Sequence, residues 1–171
     1  MKFRETSKIY LLNKSTYINL RWIAYTGQLA TIFLVQFFFK FQFDYVLCIS
    51  IVLISILTNL YLKFKIKESQ LNNFTSVIFL TYDILQLTIL FFFTGGISNP
   101  FIFLIIIPAV FSSQYLNIKT SMILVCLTTL ALTFLTFFYR NLPYPEIFHF
   151  HVPNYYLYSI PIAIFIGLNF L

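Results

Sequence analysis

The residues best suited to bind a ligand lie in one uncharged loop, residues 94–101, between two long apolar segments. Gly95 and Gly96 can adopt positive φ and leave their backbone N–H groups open to a hydrogen-bond acceptor. Asn99 suits the N-cap of a following helix, and Pro100 suits its first position, where a missing N–H costs nothing. A small membrane-dissolved molecule with acceptor oxygens would meet donors at this turn.

Asp83 is the only ionisable residue deep inside an apolar segment, where a carboxylate costs on the order of 2.5 to 3.5 kcal/mol. We therefore expect Asp83 to face other helices, either protonated or hydrogen-bonded. Gln86 lies about one helical turn further on and shares that face. Two interpretations remain open: an interhelical hydrogen bond that sets register, or a carboxyl group whose protonation responds to a bound redox ligand.

Further polar candidates lie around the start of the first apolar segment. Arg21 and Trp22 are typical of interfacial anchors, although both are also candidates for a polar contact or a signalling role within the bundle. Gln28 is a polar residue inside the first segment, next to Gly27, which favours close helix packing.

Catalytic and metal-binding patterns are weak in this sequence. His149 and His151 lack a nearby Cys or carboxylate cluster, so an interfacial aromatic belt is favoured over a metal site. Cys48 and Cys126 each lie in an apolar run and are interpreted as buried structural thiols. No phosphate-binding loop, nucleophile elbow or zinc signature occurs, so we expect no metal and no catalysis by this chain alone.

The composition predicts an all-α, polytopic membrane protein whose surroundings are lipid. Apolar residues make up 60% of the chain and charged residues 9%, and the charges cluster between apolar runs, which argues against nucleic-acid binding. We predict a basic cytoplasmic segment over residues 1–21 and a six-helix transmembrane sensor domain over residues 22–171. Pro108 should kink the fourth helix. The six predicted spans are residues 22–39, 45–62, 74–93, 101–116, 120–138 and 155–171.

The distribution of basic residues predicts the orientation in the membrane. Nine Lys and Arg residues fall on the side of the N-terminus, against Lys40 and Arg140 on the other. Because basic residues are retained in the cytoplasm, we expect a cytoplasmic N-terminus and an outward-facing 94–101 loop. An even number of spans returns the C-terminus to the cytoplasm, and its apolar end suggests that a cytoplasmic continuation is missing. The nine residues are Lys2, Arg4, Lys8, Lys14, Arg21, Lys63, Lys65, Lys67 and Lys119.

Three stretches of the chain resemble the sensor region of RegB/PrrB/ActS-type redox-responsive histidine kinases. They are LRWIA at residues 20–24 with Gly27 and Gln28, YDILQL at residues 82–87, and TGGISNPF at residues 94–101. In that family a six-helix domain of the bacterial inner membrane precedes a cytoplasmic kinase, and the GGxxNPF heptapeptide is associated with ubiquinone sensing.

The resemblance implies a signal input, since the family's phosphoacceptor His, ATP-binding boxes and regulatory cysteine are missing here. It further implies a homodimer that signals to a response regulator through a kinase domain. By the same resemblance, ubiquinone is the sensed ligand, and the binding residues are those of the heptapeptide: Gly95, Gly96, Asn99, Pro100 and Phe101.

The chemistry of the heptapeptide is compatible with that role. A quinone head group has two carbonyl acceptors, which the Asn99 side chain or the glycine N–H groups could meet, while Phe101 packs against the ring. The alternative is a small stand-alone membrane scaffold or transporter subunit without kinase activity. The downstream reading frame distinguishes the two.

Overall fold

The computed structural model describes residues 12–141, 160–164 and 166–167, and the described part is almost entirely helical. Helix α1 (Lys14–Phe33) continues into a π-helix (Leu34–Phe38), and α2 (Tyr45–Lys65) and α3 (Asn73–Phe93) follow. Two 3-10 helices (Gly96–Ser98 and Ile102–Ile106) lead into α4 (Ile107–Tyr115), and α5 (Ile118–Phe137) comes next. Strands β1 (Leu12–Asn13) and β2 (Gln70–Leu71) pair antiparallel.

The predicted all-α membrane fold is confirmed. By length and composition, α2, α3 and α5 can each cross a membrane, and residues 102–115 form a shorter apolar helix. Residues 160–164 and 166–167 are helical, and the rest of the predicted sixth span lies outside the described residues. Since lipid offers no partners for backbone groups, continuous helices are the expected solution for these apolar runs.

Asparagine side chains cap the N-termini of helices α1, α3 and α5. Asn13 accepts hydrogen bonds from the N–H groups of Ser15 and Thr16, which fixes the start of α1. Asn72 and Asn117 accept in the same way at the starts of α3 and α5. Each cap satisfies backbone donors that a helix N-terminus leaves unpaired.

The helices alternate in direction, so the connections gather at two ends. At one end, which we call the basic end, β1 pairs with β2, Lys14 Nζ donates to the carbonyl of Ile66 at 2.6 Å, and Asn73 donates to Thr120. At the other, the loop end, the Arg140 N–H donates to the carbonyl of Phe92 at 2.9 Å. Both ends are therefore fixed by contacts between residues far apart in sequence.

The core lies where α3 meets its neighbours. Helix α1 packs on α2, α3 packs on α5, and α4 lies against both α3 and α5. Ile84 of α3, Ile105 before α4, and Leu124 and Leu135 of α5 are completely buried in one cluster. Many large apolar side chains remain on the outside, where a membrane protein meets lipid.

Two predicted helices differ from the sequence expectation. The first begins at Lys14 rather than near residue 22, because the Asn13 cap lets polar residues form its first two turns. The sequence predicts the fourth as a kinked α-helix from residue 101. Instead, residues 102–106 are 3-10 helix and the α-helix starts at Ile107, so Pro108 sits in its first turn, where no donor is needed.

Candidate functional site

The loop of residues 94–101, which we call the Gly-Gly loop, depends on both of its glycines. Gly95 has φ 101° and Gly96 has φ 55°, in the left-handed region that side-chain-bearing residues rarely adopt. A Cβ placed on Gly96 would lie 2.3 Å from the Cβ of Tyr139. The chain that leaves α5 thus packs directly on this backbone, and both glycines are buried.

Asn99 braces the Gly-Gly loop from within. Its Nδ2 lies 2.9 Å from both the carbonyl oxygen and Oγ1 of Thr94, and its Oδ1 accepts from the Phe101 N–H at 2.9 Å. The prediction that Asn99 is the N-cap and Pro100 the first helical residue is wrong, because the 3-10 helix starts at Ile102 with Phe101 at its N-cap. The asparagine amide is committed to the loop, because its nitrogen bonds to Thr94 and its oxygen accepts from the Phe101 N–H.

Phe101 and Pro100 form the outward face of the Gly-Gly loop. The Phe101 side chain is 40% exposed, and Pro100 is also exposed. The loop therefore presents an apolar ring on a backbone fixed by the Asn99 hydrogen bonds. A flat apolar molecule can pack against such a ring.

A second polar site lies inside the bundle, where α1 and α3 meet. Asp83 faces the other helices, as the sequence predicts: Tyr17 donates to its Oδ2 at 2.5 Å, and Arg21 Nη2 lies 2.9 Å from its Oδ1. The two charged side chains are only 3% (Arg21) and 14% (Asp83) exposed. Arg21 is therefore not the interfacial anchor that its position in the sequence predicts, because the helix begins two turns earlier and carries it inward.

Aromatic rings surround the Arg21 guanidinium. The guanidinium carbon, Cζ, lies 5.4 to 5.9 Å from the ring centres of Tyr17, Tyr25, Phe79 and Tyr82. Arg21 Nη2 also donates to Thr58 Oγ1. Nε and Nη1 of Arg21 and the Tyr25 hydroxyl are buried and have no hydrogen-bond partner among the described residues. We call Tyr17, Arg21, Tyr25, Thr58 and Asp83 the Arg21 cluster.

A signal for this cluster is present in the sequence, although the prediction of an interfacial Arg21 overlooks it. Tyr17, Arg21 and Tyr25 are spaced four residues apart, which places them on one face of a helix once the helix is extended back to Lys14. A Tyr-Arg-Tyr face is well suited to a buried carboxylate on a neighbouring helix. With Arg21 placed at the membrane edge, its pairing with Asp83 is not predicted.

The remaining predicted polar residues also have defined places. Gln86 is buried and donates from Nε2 to Gln28 Oε1 at 3.0 Å, so the two glutamines make a second polar contact between α1 and α3. Trp22 is partly buried against the main core. Since residue 94 is about 16 Å along the helix axis from Asp83, the Arg21 cluster and the Gly-Gly loop are separate sites on α3.

The described residues contain no group of three His, Cys, Asp or Glu residues that could hold a metal ion. His149 and His151 lie outside the described residues. Cys48 is buried as predicted, but Cys126 is exposed on α5. That correction has a simple cause: in an apolar membrane helix a thiol on the outward face meets lipid, so it does not need burial in the protein.

Comparisons with known proteins concern the domain as a whole. The sequence model of the PilS-like transmembrane domain family matches residues 20–171. The chain is also 34% identical over 105 residues to the sensor histidine kinase RegB of Cereibacter sphaeroides. That alignment covers 61% of this chain and 23% of RegB, so the chain corresponds to less than a quarter of that relative. No solved structure matches the chain significantly.

Proposed function

The chain belongs to the family of PilS-like transmembrane domains, and from that premise we propose that it is the membrane sensor region of a redox-responsive two-component histidine kinase. Its similarity to RegB supports this role. The domain receives a signal in the bacterial inner membrane and passes it to a cytoplasmic kinase, which phosphorylates a response regulator. It acts as a homodimer.

The proposed signal is the redox state of the quinone pool, with ubiquinone as the ligand. The observation that carries this proposal is the half-exposed Phe101 ring on the fixed Gly-Gly loop, at the end of apolar helices. A quinone tail remains in the hydrocarbon while its ring packs on Phe101. Asn99 contributes by holding the loop, because its amide already bonds to Thr94 and Phe101.

Removal of the Phe101 ring should weaken ubiquinone binding. Phe101→Ala loses packing worth about 1 to 2 kcal/mol, which is about a 5- to 30-fold loss of affinity. The measurement is binding of the short-chain ubiquinone-1 to the purified chain in lipid nanodiscs. Phe103→Ala is the matched control, since this ring is 54% exposed and only two residues away. Equal affinities of both variants and the wild type would reduce the Gly-Gly loop to a structural turn.

The proposed orientation places the N-terminus in the cytoplasm and the Gly-Gly loop outside. Moving Arg21 into the bundle takes one residue from the basic side, yet a strong excess of Lys and Arg remains there. In a variant without Cys48 and Cys126, a membrane-impermeant maleimide should label Ser98→Cys in intact cells. Lys67→Cys, at the basic end, should react only after permeabilisation. The reverse pattern would invert the topology.

A further inference from the structure

A cavity of about 530 Å³ lies at the loop end, where the π-helix, the start of α2 and the end of α3 meet the chain that leaves α5. Its size is within the range of about 300 to 1,000 Å³ that small-molecule sites occupy. It adjoins the Gly-Gly loop in sequence, since its lining residue Phe93 directly precedes Thr94. Its lining is Gln36, Gln42, Phe43, Asp44, Tyr45, Phe93, Arg140 and Asn141.

The cavity lining carries one acidic and one basic side chain, so its net charge is zero. Arg140 Nη1 lies 2.6 Å from Asp44 Oδ2, and the Arg140 guanidinium also lies over the Phe93 ring at 5.8 Å. A charged ligand would be attracted by one member of the pair and repelled by the other. The remaining lining consists of side-chain amides and aromatic rings, which favours an uncharged ring that carries hydrogen-bonding oxygens.

Gln36 has hydrogen-bonding capacity that the described protein does not use. Its Oε1 is buried without a partner among the described residues, and such groups are rare enough to require an explanation. Gln36 lies in a π-helix, a form that is frequently found at functional sites, and Lys40 shortly after it has φ 56°. Unusual backbone is therefore concentrated next to the cavity.

The Gly-Gly loop is connected to the cavity through two residues. Tyr139 packs against Gly96, and the next residue, Arg140, is held by its N–H bond to the Phe92 carbonyl and lines the cavity. The shape of the loop thus sets the position of one cavity wall.

We propose that this cavity takes the oxygen-bearing edge of the quinone head group, with the Gln36 and Asn141 amides as its polar partners. This inference rests on the proposed function and extends it, because the Asn99 amide of the loop is already committed. The amides select an uncharged quinone or quinol over a charged amphiphile.

The test uses a photoreactive short-chain ubiquinone analogue, displaced by ubiquinone-1, on the full chain in nanodiscs. Gln36→Leu should weaken displacement about fivefold, the effect of one lost hydrogen bond of average strength. Cross-linked peptides should contain residues 36–45 or 139–141. Gln114→Leu is the control. It replaces an exposed glutamine near the C-terminal end of α4 and should leave the affinity unchanged.

Asn141→Ala serves as a second variant should Gln36→Leu lower the melting temperature. Wild-type affinity in both folded variants, with cross-links confined to the Gly-Gly loop, would overturn the cavity site and leave quinone sensing intact. Absence of specific displacement from the wild-type chain would instead overturn quinone sensing itself, and the cavity site with it.

Discussion

Asp83→Leu should lower the free energy of unfolding by about 3 to 5 kcal/mol, because it leaves the Arg21 guanidinium buried without its counter-charge. Tyr17 also loses its acceptor, since its hydroxyl donates to Asp83 Oδ2. Unfolding of the chain in mixed micelles by titration with sodium dodecyl sulfate gives the difference. The loss is large because both partners are withdrawn from solvent.

The double variant Arg21→Met with Asp83→Leu is the control for this prediction. Replacing a buried ion pair by apolar residues of similar size is often neutral or stabilising, so the double variant should regain most of the lost stability. Single and double variants of equal stability would mean that the ion pair contributes nothing to the fold.

Asp83→Asn separates charge from shape at the same position. The amide keeps an acceptor for Tyr17 but removes the negative charge 2.9 Å from Arg21. A stability between those of the wild type and Asp83→Leu is therefore expected, together with altered signalling in a full-length kinase.

Gly96→Ala should destabilise the domain by about 2 to 5 kcal/mol. A side chain at positive φ costs about 1 to 2 kcal/mol, and relief of an overlap in a packed site costs about 1 to 3 kcal/mol more. The overlap is severe, because the new Cβ would lie 2.3 Å from Tyr139 Cβ. The same titration measures the effect, and ubiquinone-1 binding should fall along with it.

Gly27→Ala is the matched control for this substitution. Gly27 lies within α1, and a Cβ there has no atom within 4 Å, so the close helix packing predicted at Gly27 from the sequence is wrong. Alanine at a helical glycine stabilises by about 0.5 to 1 kcal/mol, so the two variants should differ in sign. Tyr139→Gly combined with Gly96→Ala should recover the part of the loss that comes from overlap. A stable Gly96→Ala protein would contradict the packing of residue 139 on the loop.

The sequence predicts features that depend on short-range chemistry. Helices α2, α3 and α5 follow from apolar runs of sufficient length, and the turn at Gly95 and Gly96 follows from their backbone freedom. The burial of Asp83 follows from the cost of a carboxylate in lipid. Each of these features depends only on the chemistry of the residues themselves and on the lipid or water around them.

Features that depend on distant partners could not be predicted in this way. Arg21 looks like an edge residue until Asp83, on another helix, accounts for its charge. Asparagine is a residue type that favours helix N-caps, but the Asn99 side chain instead hydrogen-bonds to Thr94 within the loop. The approach of Tyr139 to Gly96 joins the chain after α5 to the Gly-Gly loop, and no local pattern in the sequence specifies it.

The contacts that hold the helices together differ in strength between the two ends of the bundle. At the basic end, the β1–β2 pair and the Lys14 bond to Ile66 link the start of α1 to the connection between α2 and α3. At the loop end, α2 is held to the chain after α5 by the Arg140–Asp44 pair, whose side chains are about 60% exposed. Such a pair contributes about 0 to 1 kcal/mol and weakens as salt rises. Rising salt is therefore expected to loosen the link between α2 and the chain after α5, while the backbone pairing at the basic end is held.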